Sequence, residues 1–220
     1  MTDRKKTYKI VVVGDAQSGK SSLLFRFVQR RFCTDLSSTV LAQFFSKTLP
    51  TGDRVNMWDT AGQERYRSLL PQYLKNIDLI LFVYDITRSS SFKHLDEMWI
   101  EWSRNHATPG TKQDIASILV GNKTDLDVVN QFTPHSKRAV TTDEGKAFAA
   151  KVGMPFFEIS VKDNKNIDEL WGEIANSLMA GTQPDTPNGN GIVMLKDDGV
   201  DMPPKTLRAR LTNCYSCVLM

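Results

Sequence analysis

The sequence predicts an α/β fold in which a mixed, mostly parallel six-stranded sheet carries helices on both faces. Short apolar, β-branched runs, which are typical of buried strands, alternate with longer segments whose apolar residues recur at helical spacing. Strands are predicted at residues 8–13, 43–49, 54–58, 79–84, 117–120 and 156–159. Helices are predicted at residues 21–30, 92–105, 143–152 and 168–179. Because a helix between two strands returns the chain across the sheet, this alternation favours parallel pairing.

The second and third predicted strands are the exception to parallel pairing. Pro50, Thr51, Gly52 and Asp53 separate them, and Pro and Gly in so short a connection are a strong turn signal. A tight turn can join only antiparallel neighbours, so we expect one antiparallel hairpin in the sheet.

The composition indicates one folded domain with a tail. Of the 220 residues, 40% are hydrophobic and 24% are charged, and the net charge is +3. These values indicate neither overall disorder nor a nucleic-acid partner. No apolar run reaches the roughly 20 residues of a membrane-spanning helix. We expect an N-terminal leader at 1–8, a folded domain at 9–180 and a flexible tail at 181–220, where Gly, Pro, Asp and Asn are frequent.

We expect neither a secretory signal nor N-myristoylation at the N-terminus. Residues 1–6 are polar and charged, with no apolar segment behind them long enough for secretion. Thr2 stands where N-myristoylation requires glycine.

The segment after the first predicted strand carries the strongest chemical signal. Residues 14–21, GDAQSGKS, match the phosphate-binding pattern in full and lie between a buried strand and a helix. Backbone N–H groups and the helix N-terminus then form a concave anion site. We expect Lys20 to reach the β- and γ-phosphates and the Ser21 hydroxyl to bind Mg²⁺. The residues expected at the phosphates are Asp15, Ala16, Gln17, Ser18, Gly19, Lys20, Ser21 and Ser22.

A second motif follows the third predicted strand and resembles a motif of the small GTPase family. Residues 58–65, WDTAGQER, are similar to that family's second switch. The resemblance implies that Asp59 holds Mg²⁺, that the Gly62 N–H senses the γ-phosphate, and that Gln63 orients the attacking water.

Two further motifs resemble the loops with which small GTPases read guanine. Residues 122–125, NKTD, follow the fifth predicted strand, and Asp125 there implies a carboxylate that accepts two N–H bonds from the guanine edge. Adenine cannot offer both. Residues 160–162 resemble the last base-contacting loop, in which Val161 replaces the usual Ala; the implied contact is a backbone N–H, so the change should be tolerated. The residues implied at the base are Asn122, Lys123, Asp125, Ser160, Val161 and Lys162.

The spacing in the family implies roles for two residues outside these motifs. Phe32 stands where an aromatic ring lies against the guanine, and its alternative is a buried core residue. Thr39 stands where the first switch binds Mg²⁺, and its alternative is a surface-loop threonine. The implied metal ligands are therefore Ser21, Thr39 and Asp59, and the implied catalytic residues are Gln63 and Lys20.

Within the small GTPases, the chain is similar to the Rab type over almost the whole folded domain. Residues 65–69, RYRSL, and 84–87, YDIT, resemble Rab signatures. Phe44, Trp58 and Tyr73 match the aromatic triad that shapes the Rab effector surface, with plain core packing as the alternative. The resemblance implies a GTP/GDP switch that regulates vesicle traffic and binds effectors, an exchange factor and a GTPase-activating protein.

Several residues depart from the Rab pattern. Leu41 and Gln43 replace a usual Gly and Asp in the first switch, so Leu41 joins the expected effector surface. Residues 127–138 form an unusually long polar loop. Ala16 and Gln17 replace residues that are commonly Ser or Gly, and a side chain at Ala16 implies crowding of the γ-phosphate and slow hydrolysis without an activating protein.

Two other functions remain open from the sequence. A small-molecule kinase shares the phosphate-binding pattern, but the motif at residues 122–125 opposes it. A protein that binds GTP without hydrolysing it would serve as a permanent adaptor. Gln63 opposes that interpretation, whereas Ala16 keeps it open.

The tail ends in Cys217-Val218-Leu219-Met220, a prenylation box whose terminal Met favours farnesyl over geranylgeranyl. Its expected partners are a prenyltransferase and a lipid-extracting chaperone. One lipid chain binds membranes only marginally, so a second signal is expected. Palmitoyl on Cys214 and the basic residues near it could supply that signal. The expected location is the cytoplasmic face of an intracellular membrane or the plasma membrane, with a cytosolic pool; incidental cysteines in a disordered tail are the alternative.

Overall fold

The computed structural model describes residues 5–33, 38–63, 68–110, 114–127 and 136–180. The strands are β1 (Thr7–Val13), β2 (Ala42–Thr48), β3 (Arg54–Thr60), β4 (Leu79–Asp85), β5 (Ala116–Asn122) and β6 (Phe156–Ile159). The helices are α1 (Lys20–Gln29), α2 (Ser89–His94), α3 (Ile100–His106), α4 (Thr142–Val152) and α5 (Ile167–Met179). A π turn, Leu95–Trp99, joins α2 to α3, and 3-10 turns lie at Pro71–Leu74 and Thr124–Leu126.

In the described part of the chain, the strands form a six-stranded sheet in the order β2-β3-β1-β4-β5-β6. All neighbours from β3 to β6 pair in parallel, and β2 pairs antiparallel with β3. In the turn between β2 and β3, the Leu49 N–H donates to the Asp53 carbonyl and the Gly52 N–H to the Leu49 carbonyl, each at 2.8 Å. The predicted fold class and hairpin are confirmed.

Different helices cover the two faces of the sheet. Side chains of a strand alternate between faces. Ile10 and Val12 of β1 therefore pack in one core with α1 and α5, and Val11 and Val13 pack in a second core with α3 and α4. With both faces closed, the carboxyl ends of the parallel strands and the loops that follow them are left for binding.

The helix predicted at residues 92–105 differs from its prediction. It begins at Ser89 and is interrupted by the π turn, in which the Ile100 N–H donates to the Leu95 carbonyl five residues back. A π turn accommodates one extra residue within a helix, and apolar spacing alone does not reveal such an insertion. The other predicted elements are confirmed, with ends that differ by one or two residues.

Several predictions fall on segments outside the described residues. These are the tail at 181–220 with Cys214 and Cys217, most of the loop at 127–138, and residues 64–67 of the second switch. Among the helices that are described, none has the length and apolar content needed to cross a bilayer.

Candidate functional site

The loops that follow β1, β3, β5 and β6 surround a cleft of about 270 Å³. The predicted site residues that line it are Ala16, Gln17, Gly19, Lys20, Ser21, Ser22, Phe32, Thr39, Gly62, Gln63, Asn122, Lys123, Asp125, Val161 and Lys162. Ser38 and Thr60 also line it without having been predicted. Residues from five separate sequence segments thus meet in one place.

Four predicted residues lie behind this lining and bond to it or to its backbone. Ser160 Oγ donates to Asp125 Oδ1 at 2.8 Å, and the Ser18 carbonyl accepts from Asn122 Nδ2 at 2.9 Å. Asp59 accepts from two hydroxyls of the lining, and Asp15 is bonded on its far side by residues of the α2–α3 segment.

The phosphate loop, residues 14–21, connects the buried end of β1 to the first turn of α1. Gly19 has a φ of 95°, and a Cβ there would lie 2.2 Å from Asn122 Nδ2, so glycine is required. Lys20 is buried, and its Nζ donates to the carbonyls of Gly14 at 2.8 Å and Asp15 at 2.7 Å. Burial lowers the pKa of Lys20 to about 8, against the opposing effect of nearby carboxylates. An anion in the cleft would therefore favour the charged ammonium.

Two hydroxyls and one carboxylate converge beside the loop. Ser21 Oγ donates to Asp59 Oδ2 at 2.5 Å, Thr39 Oγ1 donates to the same oxygen at 2.7 Å, and the hydroxyl oxygens are 2.9 Å apart. Asp59 is fully buried, and its other oxygen, Oδ1, has no hydrogen-bond partner among the described residues. Burial raises the pKa of Asp59, and Lys20 and the two hydroxyls oppose that shift.

This oxygen cluster fits a hard divalent cation. Mg²⁺ prefers carboxylate, hydroxyl and water oxygens, and a buried carboxylate oxygen without a partner is the kind of group that a cation or its bound water would satisfy. No group of three His, Cys, Asp or Glu residues suited to a metal occurs in the described ranges. Ser21, Thr39 and Asp59 are thus the residues that fit the implied Mg²⁺.

Gly62 packs directly on the phosphate loop. Its carbonyl accepts from the Ala16 N–H at 3.1 Å, and a Cβ on Gly62 would lie 2.2 Å from the Ala16 nitrogen and 2.3 Å from the Asp15 carbonyl carbon. No side chain fits there. The predicted bond from the Gly62 N–H to a γ-phosphate stays a prediction.

Asn122 connects the phosphate loop to the segment at residues 160–162. While its Nδ2 bonds the phosphate loop, its Oδ1 accepts from the Lys123 N–H at 2.7 Å and the Val161 N–H at 3.3 Å. The Val161 N–H was predicted to contact the base, and here it faces Asn122. The Lys123 Nζ lies 2.7 Å from Asp85 Oδ2. Burial alone would raise the pKa of Asp85, but hydrogen bonds from Lys123 and Thr87 hold it below its usual range.

Phe32 stands at the mouth of the cleft and is 38% exposed, so the alternative of a buried core residue is wrong. An exposed ring beside polar groups is available to stack on a flat ligand.

Two arginines that no motif indicated support the cleft. Arg26 of α1 is buried, and its guanidinium donates to the carbonyls of Val161 at 3.0 and 2.8 Å and of Lys162 at 2.9 Å. Arg88 Nη2 donates to the Ala16 carbonyl at 2.5 Å. The one available signal is that Arg26 lies three residues after Leu23, beside the apolar stripe of its helix.

The predicted aromatic triad forms a continuous cluster on β2, β3 and the following 3-10 turn. The ring centroids of Phe44 and Trp58 are 5.1 Å apart, as are those of Trp58 and Tyr73. Phe44 is 49% exposed, so the cluster reaches the surface. Leu41, which precedes β2, has a left-handed φ of 68°.

Comparison with known proteins places the chain among GTP-binding proteins. The family described as "Ras family" matches residues 9–180. "GTP-binding protein ypt5" of Schizosaccharomyces pombe is 40% identical over 174 residues, which are 77% of each chain. "Ras-related protein Rab5A" of Oryza sativa is 38% identical over 185 residues, 82% of this chain and 85% of the relative. "Ras-related protein Rab-2B" of Dictyostelium discoideum is 36% identical over 185 residues, 80% of this chain and 85% of the relative.

Proposed function

Because the chain belongs to the Ras family and is a Rab-type small GTPase, we propose that the cleft described above is where it binds GTP and GDP and hydrolyses GTP. A protein of this class binds its nucleotide with Mg²⁺ and acts in membrane trafficking. The observation that carries the proposal is the convergence on one cleft of residues from five separate sequence segments. We propose residues 9–180 as the GTPase domain, between a leader and a tail.

The guanine base is assigned to the end of the cleft that holds Phe32, Asn122 and Asp125. Asp125 supplies the carboxylate for the guanine N–H pair, and Ser160 orients it through the 2.8 Å hydrogen bond. Lys123, Val161 and Lys162 complete this end, supported from below by the Arg26 guanidinium.

The phosphates are assigned to the other end, over the backbone of residues 15–22. Lys20 neutralises phosphate charge there, and its burial strengthens that interaction because water does not screen it. Ser21, Thr39 and Asp59 are the residues that would hold Mg²⁺. When bound, the ion neutralises charge on the β- and γ-phosphates.

Hydrolysis is assigned to Gln63, which lines the cleft and orients the attacking water. Loss of the γ-phosphate removes a partner from Thr39 and Gly62, and the two switch segments that contain them then change conformation. Ala16 adds a methyl group where the γ-phosphate is expected, so intrinsic hydrolysis is slow and an activating protein accelerates it.

Effectors are proposed to read the surface formed by Leu41, Phe44, Trp58 and Tyr73. Aromatic residues on a protein surface bury much area at a small entropic cost, which suits a binding surface. For membrane attachment we propose a farnesyl or geranylgeranyl group on Cys217, with palmitoyl on Cys214 as a second anchor. A prenyltransferase and a lipid-extracting chaperone are the partners that this anchor requires, and the cytoplasmic face of a membrane is the location.

Base recognition tests the assignment most simply. Replacing Asp125 with Asn removes the carboxylate that accepts the guanine N–H pair, so Asp125→Asn should lose affinity for GDP and gain affinity for xanthosine diphosphate in a competition titration. Asp163→Asn, in the loop next to Ser160, is the matched control and should keep the parent's preference. Unchanged GDP affinity in Asp125→Asn would show that the base lies elsewhere.

A further inference from the structure

We propose that His94 and Trp99 are positioning residues that fix the phosphate loop through the carboxylate of Asp15. Trp99 Nε1 donates to Asp15 Oδ1 at 3.0 Å, and His94 Nδ1 lies 2.7 Å from Asp15 Oδ2. Each carboxylate oxygen therefore has its own partner from the helical segment after β4. The inference rests on the proposed role of the loop in binding phosphates.

The π turn is what brings these two partners together. His94 and Trp99 are five residues apart, and in a regular α-helix residues at that separation point about 140° away from each other. In the π turn the hydrogen bond spans five residues, from the Ile100 N–H to the Leu95 carbonyl, so residues five apart point in more similar directions than they do in an α-helix. Both side chains can then reach one carboxylate.

The position of Asp15 determines the geometry of its neighbours in the loop. The Asp15 carbonyl accepts from Lys20 Nζ at 2.7 Å, and Gly62 packs against the Asp15 and Ala16 backbone without room for a methyl group. Arg88, one residue before α2, bonds the Ala16 carbonyl. One helical segment thus holds two consecutive residues of the loop, and a shift of this segment moves the Lys20 ammonium and the loop backbone together.

The two partners differ in exposure, which allows independent tests. The Trp99 side chain is fully buried and its ring also packs edge-on against Trp102 at 5.9 Å, whereas the His94 side chain is 44% exposed. Trp99→Phe removes the N–H donor and keeps an aromatic ring. His94→Leu removes the partner at a site that tolerates substitution, and His94→Asn restores a donor near the place of Nδ1.

The experiment measures GDP release and the ³¹P resonances of bound GDP in the full chain. We expect Trp99→Phe and His94→Leu to release GDP about tenfold faster than the parent, since each loses a hydrogen bond to a charged group. We expect both to shift the β-phosphate resonance. His94→Asn should return towards the parent rate. Trp102→Phe, the same substitution in the next turn without a contact to Asp15, is the matched control and should leave both readouts unchanged.

A purely structural role would give a different result. If His94→Leu and Trp99→Phe lower the free energy of unfolding but release GDP within twofold of Trp102→Phe and leave the ³¹P spectrum unchanged, the proposal is overturned. The proposal for His94 would also be overturned if His94→Leu releases GDP faster than the parent and His94→Asn releases it just as fast as His94→Leu. Failure of the parent and of Trp102→Phe to bind GDP at all would contradict the proposed function instead.

Discussion

Leu41 combines a backbone conformation that suits glycine with a bulky apolar side chain. Its φ is 68°, and its carbonyl accepts from the Ala61 N–H at 2.8 Å, which fixes this conformation beside the second switch. A left-handed conformation costs a non-glycine residue about 1–2 kcal/mol. The sequence departure noted at this position therefore has a structural cost, and Leu41 is one of the residues proposed to form the effector surface.

We predict that Leu41→Gly will unfold at a higher urea concentration than Leu41→Ala, with a difference in free energy of about 1 kcal/mol. Alanine keeps the Cβ that opposes a positive φ, whereas glycine does not, and both variants lose the apolar side chain. Equal stabilities of the two GDP-bound variants, or a more stable Ala variant, would show that the backbone at Leu41 is unstrained.

The same pair of variants tests the effector surface. If the Leu41 side chain selects partners, the GTP-loaded Gly and Ala variants should both recover a different set of proteins from one lysate than the GTP-loaded parent. Recovery of identical partners by all three chains would make Leu41 neutral for recognition.

The residues of the candidate cleft divide clearly into those that sequence could indicate and those that it could not. Lys20, Asp59 and Asp125 stand in short motifs, each of which follows a predicted strand, and this arrangement predicted one site. Arg26 and Trp99 act through contacts with residues far away in the chain, and such contacts depend on tertiary packing that no local pattern encodes.

Arg138 connects the end of the long loop at residues 127–138 to strand β6. Its guanidinium bonds both carboxylate oxygens of Glu158 on β6, at 2.7 and 3.1 Å, and Asp127 Oδ2 at 2.7 Å. Asp127 also accepts from Ser136 Oγ at 2.5 Å. The loop was predicted as an irregular surface segment, and the described ends are tied together by this charged network.

The Asp127 carboxylate makes a pH-dependent contribution to that network. Hydrogen bonds from Ser136 and Arg138 hold the pKa of Asp127 below its usual range. A carboxylate whose pKa is lower in the folded state stabilises the fold above its unfolded pKa, about 3.9, and this stabilisation is lost as the pH falls through its folded pKa.

We therefore predict that Asp127→Asn will be less stable than the parent near neutral pH, by up to about 1 kcal/mol for such a surface network. The difference should shrink as the pH falls below about 4, because the parent then loses the same charge. Urea unfolding of both GDP-bound chains across this range provides the measurement, with Asp163→Asn as the control. A stability difference that stays constant or grows in acid would contradict the role of the charged network.

The elements themselves were largely predictable, because buried strands and amphipathic helices carry strong periodic signals. The interruption of the helix after β4 was not, since an inserted residue changes the register without changing the apolar character of the segment. Its consequence, that His94 and Trp99 both contact the carboxylate of Asp15, depends on the tertiary structure.

The proposed function requires a folded GTPase domain and a separate membrane anchor. The proposed prenylation site, Cys217, lies in the tail, far in sequence from the cleft. Cys217→Ser should therefore leave nucleotide binding intact and move the protein from membranes to the cytosol in a fractionation experiment.

Ser216→Ala, which changes the residue before the prenylation box, is the matched control and should fractionate like the parent. A Cys217→Ser protein that remains on membranes would rule out the prenyl anchor, while the GTPase assignment would be unaffected.

Single-turnover hydrolysis measures whether this cleft hydrolyses GTP with Gln63 orienting the water. The parent should convert bound GTP to GDP only when Mg²⁺ is present, and Gln63→Leu should bind GTP equally well but hydrolyse it about tenfold or more slowly. Gln72→Leu, an exposed glutamine on the 3-10 turn at Pro71–Leu74, should match the parent. Equal rates for the parent and Gln63→Leu would contradict the account.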